Sequence, residues 1–326
     1  MTKRFVPDSD PGELAAFVAP YLHDSVACRV VSCRRKMGKL IVDFAVEPKG
    51  AGANGNGDHA SRYIGKVYRG DRGQKNFAAL SLLWEAGFRP PSNSTVVRPV
   101  AYLSDCFLLL QEKAPGRLVA NTIVGGPDFA GDVMHGVARW LAALHSAGVE
   151  AEPRIEEVRM LVARYGRELA DVLPSERVRL RRITERGLEE LEDRRLSALC
   201  PTHGDFHPKN IFVDDAGRVT VIDLDTFGGL EPAADVAYFL AHVAIMGHRH
   251  LGSCFGATAV ARRQLLEAYL SAVPECPPGR IAIYLGLAFF QSLYYELCIL
   301  KTGNLGMVEA WLSRAESCLF ERHIDF

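Results

Sequence analysis

The stretch His203-Gly204-Asp205-Phe206-His207-Pro208-Lys209-Asn210-Ile211-Phe212-Val213, followed by Val219-Thr220-Val221-Ile222-Asp223-Leu224-Asp225, decides how the rest of the chain is to be read. An acid, Asp205, is followed five residues on by an amide, Asn210, and thirteen beyond that by a second acid, Asp223. Between them, two short apolar runs (211–213 and 219–222) flank the turn signal Asp215-Ala216-Gly217, a pattern that predicts a β-hairpin. A hairpin of that length returns Asn210 and Asp223 to the same end. One amide oxygen and one carboxylate then suit a hard cation such as Mg²⁺, which takes few protein ligands and completes its shell with phosphate oxygens. Asp205, just upstream, is placed to reach an acceptor hydroxyl. The combination fits phosphoryl transfer, in which positioning and charge neutralisation carry most of the catalysis.

Ahead of this stretch the chain is β-rich. A short helix opens it, with Asp10 as N-cap, Pro11 in the first turn and Leu14, Phe17, Val18 and Leu22 as its apolar face. Val30–Cys33 and Leu40–Val46 read as a hairpin around the basic turn Arg34–Lys39, and Tyr63–Tyr68 as a third strand. The glycine-rich run Gly50–Gly57 reads as a surface loop. A helix is predicted from Gln74 to Ala86, then strands over Val96–Leu103 and Cys106–Gln111. Beyond Pro115-Gly116 the pattern turns helical, with helices expected over 129–146, 155–172, 175–195, 232–246, 259–273, 279–301 and 306–321. The expectation is an α+β chain of two lobes: residues 1–112 a small antiparallel β-rich N-lobe, and 113–326 a large, mainly helical C-lobe, with a single crossing near 111–116.

Bulk properties exclude several classes. Lys plus Arg (38) balances Asp plus Glu (39), so no overall field recruits nucleic acid or an anionic membrane. The eight cysteines show no C-x-x-C spacing and read as reduced, buried thiols. Pro7, Asp8 and Asp10 stand where a signal peptide would need an apolar core, which makes the cytoplasm the default location. Ile281–Leu300 approaches the length of a membrane span but carries Gln291, Ser292 and Glu296, and is expected to be a buried helix. His242, His248 and His250 are expected at the surface, His203 and Asp235 in structural roles around the loop. Arg35, Lys36 and Lys39 read equally as phosphate contacts or as a solvated hairpin tip.

The central stretch resembles the catalytic loop of the aminoglycoside phosphotransferase and choline kinase family, H-G-D-x-x-x-x-N followed by I-D-x-D/E. The resemblance implies a protein-kinase-like fold and transfer of the γ-phosphate of ATP or GTP to a hydroxyl of a small molecule. It places Asp205 on the catalytic aspartate, Asn210 and Asp223 on the Mg²⁺ pair, and Asp225 on the second acid after the metal aspartate. Lys66 falls on the strand lysine of the α/β-phosphates, and Gln111, Glu112 and Lys113 on the hinge whose backbone reads the base. Leu141–His145 resembles the family's helix ending in Leu-His. Two departures stand out: where the helix after Lys66 should offer a glutamate there are Gln74, Lys75 and Asn76, and the first hairpin has a single glycine, Gly38.

The missing glutamate motivates an alternative, a nucleotide-binding regulatory module without turnover. About six residues separate Asp225 from the helix start near Pro232, too few for a peptide platform, so a small acceptor is expected over a protein. Asp225, Glu231, Glu296, Asp325 and the chain-terminal carboxylate could receive a cationic acceptor, whereas Tyr294 and Tyr295 would suit a sugar or a choline-like group. The sequence leaves the acceptor, the choice of ATP or GTP, and the oligomeric state open.

Overall fold

The computed structural model describes residues 11–22, 26–36, 38–48, 61–125, 130–193, 198–251, 256–324 and 326. The expected N-cap Asp10, the Gly50–Gly57 loop, Phe129 and Asp325 lie outside the described residues. The chain forms two compact units: Met1–Gly116 with Thr220–Thr226, and Arg117–Val219 with Phe227–Phe326.

The first unit opens with helix α1 (Pro11–Val18), then strands β1 (Val26–Lys36), β2 (Lys39–Pro48) and β3 (Ser61–Val67), helix α2 (Arg72–Glu85), and strands β4 (Ser94–Val96), β5 (Pro99–Leu103) and β6 (Leu108–Glu112). Five of the strands form an antiparallel sheet in the order β1-β2-β3-β6-β5. Alternation along β2 sends Val42, Phe44 and Val46 into a core shared with Leu14 and Val18 of α1, Val67 of β3 and Leu108 and Leu110 of β6. The run expected as one strand over Val96–Leu103 breaks before Pro99, which has no N–H to give a ladder, and β4 leaves the five-stranded sheet. Gly65 packs so tightly that a Cβ there would lie 2.8 Å from the Phe44 ring.

The second unit holds β7 (Arg117–Leu118), α3 (Val119–Gly125), α4 (Ala130–His145), α5 (Ile155–Val172), α6 (Arg177–Glu192), β8 (Cys200–Thr202) and β9 (Ile211–Val213). It continues through β10 (Val219–Val221), whose last two residues belong to the first unit, and then β11 (Gly228–Leu230), α7 (Ala233–Leu251), α8 (Ala259–Ala272), α9 (Pro278–Tyr294) and α10 (Val308–Glu316). Helix α9 is the axis of this unit. It packs against α5, α7 and α10, and Arg280 through Phe290 are buried without a break. By length and composition the Pro278–Ile299 stretch could cross a membrane, but most of it is buried inside the unit, as expected for a core helix.

A charged cluster lies within that core. Arg280 Nε donates to Glu231 Oε2 at 2.7 Å, its Nη1 donates to the Glu190 carbonyl at 3.0 Å, and the Tyr284 hydroxyl donates to Glu231 Oε1 at 3.2 Å. All seven described cysteines are free thiols, though only Cys106, Cys276 and Cys318 are buried and Cys33 is exposed.

The expected single crossing of the chain near 111–116 is corrected here, because Thr220–Thr226 returns to the first unit. The physical reason is ionic: Asp223 and Asp225 are bound there by the side chains of Lys39, Lys66, Tyr68 and Asn76.

Candidate active site

In the first unit the central side chain is Lys66, on β3 between Ile41 of β2 and Leu109 of β6 and only 4% exposed. A buried ammonium needs a counter-charge. Its Nζ donates to Asp223 Oδ1 at 3.2 Å. Asp223 itself sits at φ 70°, a left-handed backbone conformation that aspartate tolerates better than most residues and that costs local strain.

Asp225 is held by three groups. The Tyr68 hydroxyl donates to Oδ1 at 2.8 Å, Asn76 Nδ2 donates to the same oxygen, and Lys39 Nζ contacts Oδ2. Burial and the two aspartates push the Tyr68 hydroxyl far above its ordinary pKa, so it stays a donor. The turn of α2 that lacks a glutamate therefore presents a fully buried amide, Asn76, to Asp225, and the partner of Lys66 is Asp223. Asn76 Oδ1 has no hydrogen-bond partner among the described residues.

Gln111, Glu112 and Lys113 end β6. The N–H of Glu112 donates to the Arg98 carbonyl at 2.9 Å and that of Lys113 to the Arg62 carbonyl at 3.0 Å, so both donors are already used. The Lys113 ammonium pairs with Asp43 at 2.7 Å, alongside Arg62, which grips the same carboxylate through Nε at 3.0 Å and Nη2 at 2.6 Å. The Gln111 side chain is 2% exposed, and its Oε1 finds no partner among the described residues.

In the second unit Asp205 sits in a loop pinned by Asp235 at the start of α7. Asp235, 1% exposed, accepts from the N–H of His203 at 2.7 Å and of Gly204 at 2.8 Å, while His145 Nε2 approaches it at 3.4 Å. The Leu-His end of α4 thus has a use: His145 Nδ1 meets the Tyr269 hydroxyl at 2.7 Å and its other nitrogen faces Asp235. Burial pushes the Asp235 pKa up, but the His145 hydrogen bond and the nearby His145 and His203 charges outweigh it and hold the carboxyl below its usual range. Gly204 takes φ 76°, which only glycine adopts without strain, and the Asp205 N–H then donates to His203 Nδ1 at 3.2 Å.

The Asp205 carboxylate has three neighbours in its own unit. Asn210 Nδ2 donates to the Asp205 carbonyl at 3.1 Å and lies 3.4 Å from Oδ2, His207 Nε2 lies 3.6 Å from Oδ2, and the Tyr238 hydroxyl hydrogen-bonds to it. Burial acts to raise the Asp205 pKa; the hydrogen bond and charge of His207, aided by His203, reverse that and hold it below its usual range. His242, expected at the surface, instead stacks on His207 at 5.0 Å between ring centroids and lies 4.4 Å from Tyr238. Burial, with His207 beside it, pushes its pKa down to about 3, so it is neutral. Tyr295 is close enough that burial and the Asp205 charge together raise its pKa.

Two of the other acids expected at an acceptor are paired with arginines: Glu296, 5% exposed, with Arg249, and Glu231 with Arg280. Sequence reading did not single out Tyr68, His207 or Tyr238. The pair Tyr238 and His242, four apart on α7, shares a helix face and could have pointed to this end of the loop.

Each unit offers one donor of the kind a divalent cation takes. Asn210 commits its amide nitrogen to Asp205, which leaves its oxygen to act as a ligand, and Asp223 is a carboxylate already surrounded by ammonium groups. Among the described residues no group of three or more His, Cys, Asp or Glu could hold a metal by itself, so either donor would need further ligands such as phosphate oxygens.

No curated protein sequence matches the chain. Among solved structures, it is similar to amicoumacin kinase hAmiN in complex with AMP-PNP, Ca²⁺ and Ami, at 16% identity and a TM-score of 0.63, covering 90% of this chain and 88% of that one. It is also similar to ADP-bound aminoglycoside phosphotransferase APH(2'')-Ib (17% identity, TM-score 0.59, 94% and 99% covered) and to choline kinase LicA from Streptococcus pneumoniae (17%, 0.58, 95% and 98%). At these identities the likeness establishes the α+β fold, with an antiparallel N-lobe and a helical C-lobe. The profile of the phosphotransferase enzyme family matches residues 55–279, which takes in Lys66, the Asp205 loop and Asp223. The chain therefore belongs to the phosphotransferase enzyme family.

Proposed function

We propose that the protein transfers the γ-phosphate of ATP to a hydroxyl of a small acceptor, with Asp205 as the group that orients and deprotonates that hydroxyl. The observation that carries this reading is the state of Asp205: an ionised carboxylate whose backbone is fixed through Asp235 and whose side chain is bracketed by His207 and Tyr238. The acceptor O–H passes its proton to Asp205 as the new P–O bond forms and the bond to the departing ADP breaks. In a loose transition state that proton moves late, so Asp205 acts first by positioning. Lys66 is assigned to the α/β-phosphates, and residues 111–113 to the base, read through backbone carbonyls because the Glu112 and Lys113 amides are used in the fold. Asn210 and Asp223 would hold Mg²⁺, which when bound neutralises phosphate charge; their thirteen-residue spacing supports the assignment. ATP as donor is supported by the AMP-PNP and ADP carried by the similar structures.

The acceptor is read from the surroundings of Asp205. Glu231, Glu296 and Asp225 are each paired with a cationic side chain, whereas Tyr238, Tyr295 and His207 lie about the base. This supports a neutral or singly charged hydroxylated acceptor over a polycation. The missing glutamate, which motivated a reading without turnover, is answered by the pairing of Lys66 with Asp223. The test is ATP turnover across a panel of hydroxylated acceptors, wild type against Asp205→Asn. Acceptor-dependent turnover should fall at least about a hundredfold in the variant with nucleotide affinity kept. Equal rates in the two proteins would remove Asp205 from the mechanism.

A further inference from the structure

Lys39 begins β2, directly after Gly38, whose φ of 79° closes the β1–β2 turn. Its side chain is only 22% exposed. It does not project into solvent as a hairpin-tip lysine would. Nζ contacts Asp225 Oδ2, lies 3.5 Å from Asp223 Oδ1, and sits 5.0 Å from the centroid of the Tyr68 ring. Lys66 reaches the same Asp223 oxygen at 3.2 Å from the opposite strand. Two ammonium groups thus face two carboxylates, while α2 contributes only the neutral Asn76.

We propose that Lys39 is the counter-ion that lets nucleotide phosphates approach Asp223 and Asp225 in the metal-free protein. A metal ion taken up by those carboxylates displaces the ammonium and assumes its role. The inference rests on the assignment of Asp223 as metal ligand. The charge arithmetic favours it: a nucleotide triphosphate entering beside two aspartates meets repulsion that Lys66 alone cannot offset, and no glutamate on α2 holds Lys66 back. A lysine on a flexible stem at a hairpin end is the mobile point charge suited to that exchange. With metal absent, Lys39 should matter most. With metal present, the carboxylates are already neutralised and its loss should matter little.

The test is binding of a fluorescent N-methylanthraniloyl ATP to wild type and Lys39→Gln, each with EDTA and with Mn²⁺, alongside their thermal midpoints. The expected result is a Kd about tenfold weaker in EDTA and changed less than about twofold in Mn²⁺, with Lys39→Arg restoring most of the EDTA affinity. Unchanged Kd values in both conditions, or equal losses in both, would overturn the proposal: the first would leave Lys39 a bystander, the second a purely structural residue. If wild type fails to bind nucleotide with Mn²⁺, or if Asp223→Ala keeps the Mn²⁺ enhancement, the metal assignment itself fails and this inference with it.

Discussion

Replacing Asp235 with alanine isolates what holds the Asp205 loop. The carboxylate accepts two N–H groups, the buried one of His203 at 2.7 Å and the half-buried one of Gly204 at 2.8 Å, and faces His145 at 3.4 Å. In Asp235→Ala both donors lose their acceptor, and each unmade bond costs about 1–3 kcal/mol, the upper part of the range applying to the buried His203 N–H. The weak His145 contact adds little, so the expected loss is about 3–5 kcal/mol. Urea denaturation followed by far-ultraviolet circular dichroism would measure it.

A second readout follows from geometry. Gly204 and Asp205 lose their anchor, so kcat should fall about a hundredfold, as small misplacements of reacting groups do, while nucleotide affinity stays as it was. Asp235→Asn keeps one acceptor and sets an amide NH₂ against the second N–H, and should lie between wild type and Asp235→Ala. A loss below about 1 kcal/mol in Asp235→Ala, with kcat intact, would refute the view that these two bonds position Asp205.

Removal of Glu231 strands Arg280 in the core of the helical unit; Glu231→Ala should cost about 3–5 kcal/mol, and adding Arg280→Met should recover most of it. Equal denaturation midpoints for the single and double variants would contradict that account. His242 titrates near 6.5 when unfolded and at about 3 when folded, so between those values the unfolded chain binds a proton that the folded chain does not. Stability should therefore fall as pH drops from 6.5 towards 3, by at most about 1.4 kcal/mol per pH unit, and His242→Asn should flatten that part of the profile measured by urea midpoints.

The two-lobe α+β architecture was legible in the sequence because the change from period-two to helical patterning after Pro115-Gly116 is strong, and because long helices such as α5 and α9 carry continuous apolar faces. Short elements were not. Strands β8 and β11 have three residues each, and β11 includes Gly228 and Gly229, whose purpose is visible only in three dimensions: a Cβ at Gly228 would lie 2.2 Å from the Arg154 side chain, and one at Gly229 2.9 Å from the Ala151 carbonyl. No local pattern encodes such an approach.

The same division runs through the site. The spacing of Asp205, Asn210 and Asp223, on which the proposed function rests, is legible in the sequence because a loop and its following turn are local properties. What decided the environment of those groups was tertiary. Asn76 looked like a deficient substitute for a glutamate until its amide was seen on Asp225, and Lys39 read equally as a phosphate contact or a hairpin tip until its ammonium was seen between two aspartates. His242 looked like a surface histidine until it was seen stacked on His207 beside the Asp205 carboxylate. A residue type states which bonds a side chain can make. Which of them form is settled by groups tens to hundreds of residues away, because a buried charge takes whatever counter-charge the fold brings to it.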